Sequence, residues 1–149
     1  MGVDEATMTK KTIVGCLEMC SLPDLGIADL QVRVDTGAKT SSLHADNLEK
    51  FKQNGKPWVR FDIHPNIHKV DAIIRCEAAI DDIRSVKSSN GVSEERYVIV
   101  TEMVLGDESW PIEITLTDRS DMSNLMLLGR EGMKGRVLVD PSKRFILGS

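Results

Sequence analysis

The chain has 149 residues, of which 41% are hydrophobic and 28% charged, and its 19 basic and 23 acidic side chains give a formal net charge of −4. This composition predicts one soluble domain that buries its own core, and the acidic balance gives no general attraction to nucleic acid or to an anionic membrane. No apolar run approaches the roughly 20 residues that a membrane span needs, and the first residues lack the pattern of a secretory signal. We therefore expect a cytoplasmic protein that binds neither nucleic acid nor membrane.

The dominant periodicity along the chain is two residues, which is typical of half-buried strands. We expect the polar residues 1–11 to form a disordered tail and residues 12–149 to form a single domain. Alternating apolar positions predict strands over residues 30–34, 59–63, 74–80, 97–105 and 112–116. Short, evenly spaced strands predict an all-β fold, either a small closed barrel or a sandwich.

The remaining elements are a hairpin, a helix and a final pair of strands. Asn90-Gly91 lies between two alternating segments, so residues 84–99 are predicted to form a long hairpin with a polar, glycine-bearing tip. A short helix is predicted over residues 130–134. Two further strands are predicted after it, over residues 137–140 and 144–147.

Cysteine and histidine patterns do not predict a metal site. The chain has three cysteines, Cys16, Cys20 and Cys76. Because the number is odd, at least one thiol stays unpaired, which suits a reducing compartment and buried thiols. None of them forms a C-x-x-C pair, and Pro65 disfavours a helix that would bring His64 and His68 to one face. The chain also lacks a Gly-rich Lys-Ser/Thr loop for nucleotide phosphates. We therefore predict neither a metal nor a cofactor.

One tripeptide, Asp35-Thr36-Gly37, carries candidate chemistry at the end of the strand predicted over residues 30–34. A carboxylate at the mouth of a strand, followed by a hydroxyl side chain and a glycine that permits a sharp turn, suits an aspartate that activates water. Asp and Gly are also favourable in ordinary turns. The tripeptide by itself favours the plain turn.

A second motif near the C-terminus, Leu127-Leu128-Gly129-Arg130, changes this balance. The order of Asp-Thr-Gly-Ala, hairpin and apolar-apolar-Gly-Arg resembles the retropepsin-like aspartic proteases over residues 28–147. Residues 34–45, 86–91, 117–122 and 126–130 are most similar to the bacterial family labelled ATP-dependent zinc proteases. That family is associated with the RimK-type ATP-grasp ligase that adds glutamates to a ribosomal protein. The resemblance implies a small closed barrel with one short C-terminal helix, and a hairpin that acts as a flap over substrate.

The resemblance also implies a mechanism for the chain. In the implied mechanism, Asp35 is the catalytic residue of an aspartic peptidase, and two Asp35 carboxylates share one proton and activate water. Because the chain holds one Asp-Thr-Gly, the second carboxylate is expected from the other copy in a homodimer. The residues expected to support the active site are Thr36, Gly37, Ala38, Leu128 and Gly129.

Basic and polar side chains are expected around the implied cleft. The candidates for substrate binding are Lys39, Lys87, Ser89, Asn90, Gly91 and Arg130. Arg84 and Arg96 are expected to add positive charge, so the groove would favour acidic peptides such as the glutamate tail of a glutamylated ribosomal protein. In many retropepsins, the arginine of the Gly-Arg motif pairs with an acidic residue that follows shortly after Asp-Thr-Gly. This chain has no acidic residue at that place. Arg130 is therefore expected either to pair with one of three aspartates, Asp46, Asp118 or Asp121, or to bind substrate.

Two alternatives from other classes remain open. The domain could keep the barrel as a non-catalytic peptide-binding or assembly module, with Asp35 merely closing a turn. It could also be a metal-dependent hydrolase that uses Asp35 with a histidine, namely His44, His64 or His68.

Overall fold

The computed structural model describes residues 11–64, 73–87, 91–118 and 124–148. In these ranges the strands are β1 (Thr12–Val14), β2 (Leu17–Leu22), β3 (Ile27–Val34), β4 (Ser41–His44), β5 (Asp46–Gln53), β6 (Lys56–Ile63), β7 (Ile74–Ala79), β8 (Asp82–Lys87), β9 (Ser93–Leu105), β10 (Glu108–Thr117), β11 (Met126–Leu128) and β12 (Val137–Val139). A 3-10 helix spans Pro23–Leu25 and an α-helix, α1, spans Arg130–Met133. No helix within these ranges has the length and apolar character needed to cross a membrane.

Six strands close into a barrel in the order β10-β4-β11-β3-β2-β9, and β9 pairs again with β10 to complete the ring. Strand β8 pairs antiparallel with the first part of β9 and is not one of the six barrel strands. Strands β5, β6 and β7 form a separate antiparallel sheet, and β1 and β12 form a parallel pair. The predicted all-β closed barrel with one short C-terminal α-helix is confirmed.

The alternation in the sequence becomes an alternation in burial. On β3, Leu30, Val32 and Val34 are buried, whereas Gln31 and Arg33 between them are exposed. Successive side chains of a strand point to opposite faces, so this pattern buries one apolar face against the barrel interior. Removing those side chains from water stabilises the strand by roughly 1.5–3 kcal/mol for each fully buried aliphatic side chain.

The predicted hairpin is present in both of its strands. Strands β8 and β9 pair antiparallel, from Asp82 opposite Val98 to Lys87 opposite Ser93. Gly91, just before β9, has a left-handed backbone conformation with φ of 87°, which glycine adopts without a steric penalty. The rest of the predicted tip, with Ser89 and Asn90, lies outside the described residues.

The prediction of a final strand over residues 144–147 is wrong. The preceding segment does form β12, but β12 pairs in parallel with β1. Residues 144–147 instead form a turn, in which Phe145 has a φ of 51°. The fully buried carboxylate of Glu18 accepts hydrogen bonds from the backbone N–H groups of Ile146 at 3.0 Å and Leu147 at 3.2 Å. The Phe145 N–H donates to the Leu17 carbonyl at 2.8 Å, and a side chain distant in sequence accepts the next two N–H groups.

Replacing Glu18 by glutamine is expected to lower the free energy of unfolding by about 3 kcal/mol. Glu18 Oε2 also accepts the N–H of Gly15 at 2.7 Å. An amide places an NH₂ group against one of these donors and removes the charge that strengthens the others. Urea unfolding measures the change, with exposed Glu108→Gln as the matched control. Equal unfolding energies for the two variants would contradict this role of Glu18.

Candidate active site

Asp35 lies at the point where two parallel strands leave the barrel. It directly follows β3, and β11 runs parallel to β3 with Leu128 opposite Val34. The Asp35 N–H donates a hydrogen bond to the Leu128 carbonyl at 2.9 Å. The side chain is half-buried, so the barrel fixes its backbone while solvent still reaches the residue.

The Asp-Thr-Gly segment forms a tight turn around the Asp35 carboxylate. Oδ1 of Asp35 accepts the Gly37 N–H at 2.9 Å, and the Asp35 carbonyl accepts the Ala38 N–H at 3.2 Å. A Cβ on Gly37 would lie 3.1 Å from Oδ1. Thr36, between them, is exposed. The turn therefore holds one carboxylate oxygen in place and presents Thr36 at its tip.

The segment after β11 braces this turn from behind. The N–H groups of Arg130 and Glu131 donate to the carbonyls of Ala38 at 2.8 Å and Lys39 at 3.0 Å. Gly129 packs so closely that a Cβ there would lie 2.5 Å from the Thr40 carbonyl carbon. The structure thus brings both supporting motifs together, Leu128 and Gly129 against residues 35–40, as the resemblance implied. Their role in catalysis stays a prediction.

Ser41 also belongs to this support, although sequence reasoning did not single it out. Its side chain is buried, and its Oγ accepts the Gly129 N–H at 3.0 Å. Its carbonyl accepts the Thr115 hydroxyl at 3.1 Å. Ser41 could have been found from its position, since it is a hydroxyl residue on the face of β4 that points to the core. A buried hydroxyl group needs hydrogen-bond partners.

Among the described residues, Arg130 does not form an ion pair with Asp46 or Asp118. Its guanidinium instead contacts the carbonyls of Thr36 at 3.4 Å and Gly37 at 3.3 Å. Asp46 is engaged elsewhere, since its Oδ2 lies 3.0 Å from His64 Nε2. The third candidate partner, Asp121, lies outside the described residues. Arg130 therefore contacts backbone carbonyls of the Asp35 turn, where an acidic partner had been expected.

The expected positive charge of Arg84 and Arg96 is neutralised by neighbouring carboxylates. Arg84 forms ion pairs at 3.0 Å with both Asp82 and Glu113, and its hydrogen bond to Asp82 raises its pKa most. Arg96, whose side chain is 10% exposed, pairs with Glu94 at 3.1 Å. The expectation that these two arginines add to a basic groove is therefore wrong, because each faces an acid on its own strand and Arg84 a second one on β10.

Three of the other predicted binding residues lie in the described part of the chain, namely Lys39 beside the Asp35 turn and Lys87 and Gly91 on the hairpin. Lys39 is exposed one residue after Ala38, and Lys87 is exposed at the end of β8. Gly91 is also exposed at the start of the return to β9. These three exposed residues are available to a ligand, and Ser89 and Asn90 lie outside the described residues.

The metal-dependent alternative finds no ligand set in the described part of the chain. No group of three or more His, Cys, Asp or Glu side chains there could hold a metal ion. Burial raises the pKa of Cys20 to about 12 and that of Cys76 to about 11, so both thiols are protonated at neutral pH. His68 lies outside the described residues.

Comparisons with known proteins agree with this geometry. Residues 13–149 match the model of the RimB-like family, described as "Retropepsin-like aspartic endopeptidase RimB". The chain is 50% identical over 138 residues to a "Probable alpha-L-glutamate ligase" of Shewanella pealeana, which covers 93% of this chain and 30% of that protein. It is 50% identical over 141 residues to a protein with the same description from Parasynechococcus marenigrum, covering 95% of this chain and 30% of the relative.

A solved structure has the same fold. It is the crystal structure of a protein of unknown function (DUF785) from Legionella pneumophila, with a TM-score of 0.75 and 28% identity, covering 91% of this chain and 98% of that one. The chain spans about 30% of the length of the curated relatives that it matches. With the family match extending over nearly all of the chain, the barrel and its Asp35 turn belong to the RimB-like family of retropepsin-like aspartic endopeptidases.

Proposed function

We propose that the chain is an aspartic peptidase domain that works as a homodimer, with one Asp35 from each copy forming the catalytic pair. The observation that carries this proposal is the Asp35 turn, in which Oδ1 accepts the Gly37 N–H at 2.9 Å and the backbone is fixed by Leu128. Residues 128–131 support the turn from behind through the N–H groups of Arg130 and Glu131, which is the arrangement that the resemblance to retropepsin-like proteases implies.

In the proposed reaction, one Asp35 is ionised and its counterpart is protonated, because two like charges so close together separate their titrations. The ionised carboxylate takes a proton from water while the water oxygen attacks the peptide carbonyl carbon. The protonated carboxyl group donates its proton to the carbonyl oxygen, giving a tetrahedral diol. When the C–N bond breaks, the carboxyl group that took the proton from water passes it to the leaving nitrogen, and the other carboxylate accepts a hydroxyl proton of the diol. The products are a carboxylic acid and an amine, and the pair again holds one proton on its original carboxyl group.

For the substrate we propose acidic, glutamate-rich peptides, including the tail of a glutamylated ribosomal protein in the cytoplasm. Two curated relatives that contain this domain are named as probable alpha-L-glutamate ligases. Lys39 next to the catalytic turn and Lys87 on the hairpin are exposed cations, and Arg130 lies behind the same turn. Such cations attract a polyanionic chain at a distance and hold it in the cleft.

A panel of peptides tests this substrate class. Oligoglutamate is expected to be cleaved about 10-fold faster than oligoglutamine of the same length, and this advantage should fall as salt rises from about 50 to about 500 mM. Lys39→Gln should raise KM for oligoglutamate alone, whereas exposed Lys56→Gln on β6 should not. Faster cleavage of apolar peptides, or rates that salt leaves unchanged, would contradict an acidic substrate. Binding without any cleavage would favour the peptide-binding module.

A further inference from the structure

One fully buried carboxylate, that of Glu18 on β2, has no part in the proposed reaction. None of the ion pairs among the described residues includes it. A buried charge without a cationic partner costs free energy unless hydrogen bonds compensate it. The hydrogen bonds of Glu18 supply that compensation, and they join parts of the chain that lie far apart in sequence.

The Glu18 carboxylate joins two segments, residues 15–17 and residues 143–147, into what we call the Glu18 clamp. It accepts three backbone N–H groups, those of Gly15 at 2.7 Å, Ile146 at 3.0 Å and Leu147 at 3.2 Å. An ionised carboxylate only accepts hydrogen bonds, so it matches all three donors at once. A single side chain therefore fixes the C-terminal segment against the start of β2.

Direct backbone contacts close the same junction. The Cys16 N–H donates to the Lys143 carbonyl at 2.8 Å. Gly15 packs so closely that a Cβ there would lie 2.6 Å from the Lys143 carbonyl carbon. Because the two segments touch along their backbones, a shift of the C-terminal segment also moves Gly15 and Cys16.

The clamp reaches the Asp35 turn through one hydrogen bond. The Cys16 carbonyl accepts the Val34 N–H at 2.9 Å, and Val34 directly precedes Asp35. On the other side, the Asp35 N–H donates to the Leu128 carbonyl at 2.9 Å. The backbone that carries the Asp35 side chain is therefore held from two sides, by β11 and by the Glu18 clamp.

We propose that Glu18 is a positioning residue for Asp35, which it holds through Cys16 and Val34. This inference rests on the proposed function, since it concerns the Asp35 pair of that reaction. Two carboxylates that share a proton need a fixed separation, and a displacement of about 1 Å at a reacting group can lower a rate about 100-fold. The clamp fixes Asp35 from the side of β2, whereas the support that the resemblance implies comes from β11 and the segment after it.

Glu18→Gln tests this role in the rate of peptide cleavage. The amide places an NH₂ group against one of the three N–H donors, so the clamp loosens. We expect kcat per folded molecule to fall about 10-fold, with KM unchanged because the residues proposed to bind substrate keep their places. Rates are taken at protein concentrations where the rate per copy no longer rises, so that a change in assembly does not enter.

Ile63→Ala is the control matched for loss of stability. Ile63 is fully buried on β6, in the three-stranded sheet, which contains no residue of the clamp. Removing its side chain destabilises the fold, yet kcat per folded molecule should equal that of the wild type. Should Glu18→Gln fail to fold, as judged by circular dichroism, Gly15→Ala opens the same clamp because its new Cβ must displace the Lys143 carbonyl.

Amide hydrogen exchange measures the clamp without any need for cleavage. In Glu18→Gln the N–H groups of Val34 and Asp35 should exchange about 10-fold faster than in Ile63→Ala, with both variants compared at equal unfolding energy. The Ile80 N–H, which donates to a β6 carbonyl at 3.0 Å, should exchange equally fast in the two variants. A difference confined to the Asp35 turn shows that the clamp acts on this turn and not on the fold as a whole.

The outcomes separate the clamp from the proposed reaction. Folded Glu18→Gln with the kcat of the wild type, or with the same exchange at Val34 and Asp35 as Ile63→Ala, overturns the positioning role but leaves the Asp35 pair intact. A fall in kcat that Ile63→Ala shares overturns it too, since lost stability would then be the cause. Normal cleavage by Asp35→Asn overturns the proposed function, and hydrogen exchange then decides by itself whether Glu18 holds the turn.

Discussion

Replacing Asp35 by asparagine is expected to reduce peptide cleavage by about 1,000-fold or more while leaving the fold intact. The amide has the size of the carboxyl group, and its oxygen can still accept the Gly37 N–H that Oδ1 accepts at 2.9 Å. It can neither take a proton from water nor share one with a second carboxylate. The loss should therefore appear in kcat, with unfolding and circular dichroism close to those of the wild type.

A matched control separates chemistry from the general effect of losing a charge. Asp107 is exposed in the turn between β9 and β10, and Asp107→Asn removes the same charge far along the chain from the Asp-Thr-Gly turn. We expect this control to cleave at the wild-type rate. Initial rates on one peptide at several pH values compare the three proteins.

Mixing the Asp35→Asn variant with wild-type protein tests whether the pair is shared between copies. A mixed dimer would hold one carboxylate and one amide, so it should be inactive. An excess of the variant is then expected to suppress wild-type cleavage as subunits exchange. Wild-type activity that is unchanged by the excess would contradict a shared pair, and normal cleavage by the variant alone would contradict any catalytic role of Asp35.

The parts of the fold that sequence reasoning predicted depend on local patterns. The alternation of Leu30, Val32 and Val34 with polar residues predicts a strand because one face of a half-buried strand must be apolar. The closed barrel, the hairpin and the short helix followed from such patterns or from the resemblance. The meeting of Leu128 and Gly129 with the Asp35 turn required the family resemblance, because about 90 residues separate the two motifs.

The failures have both local and distant causes. Arg84 and Arg96 each pair with an acid two residues away on the same strand, Asp82 and Glu94, which the two-residue period of a strand could have indicated. The other causes are contacts between distant residues. Phe145, Ile146 and Leu147 have the apolar character of a strand, yet the carboxylate of Glu18, 128 residues before Ile146, decides their conformation. Arg84 resembles a free cleft residue in the sequence, but Glu113 on β10 lies 3.0 Å away in the fold. No local pattern reports which carboxylate will face a given cation across a sheet.

Gly129→Ala is the substitution in the supporting segment with the largest expected effect on stability. The backbone of Gly129 has φ −86° and ψ 170°, a conformation that alanine adopts readily. Space is the obstacle, since the new Cβ would lie 2.5 Å from the Thr40 carbonyl carbon and 2.6 Å from its oxygen. Those atoms belong to backbone that is itself held between β4 and the Asp35 turn, so neither side yields without moving residues 35–40. We expect a loss of about 3 kcal/mol in the free energy of unfolding.

The same substitution at Gly55 distinguishes crowding from backbone strain. Gly55 has φ 78°, and a Cβ added there would have no neighbouring atom within 4 Å, so Gly55→Ala should cost only about 1–2 kcal/mol, the penalty of a left-handed conformation. Gly55 lies in the β5–β6 turn, so the Gly55→Ala variant should cleave as fast per folded molecule as the wild type. In Gly129→Ala, by contrast, cleavage should fall even among folded molecules, because the displaced turn carries Asp35. Urea unfolding and rates normalised to folded protein measure both effects, and full activity in folded Gly129→Ala would show that Asp35 does not depend on this brace.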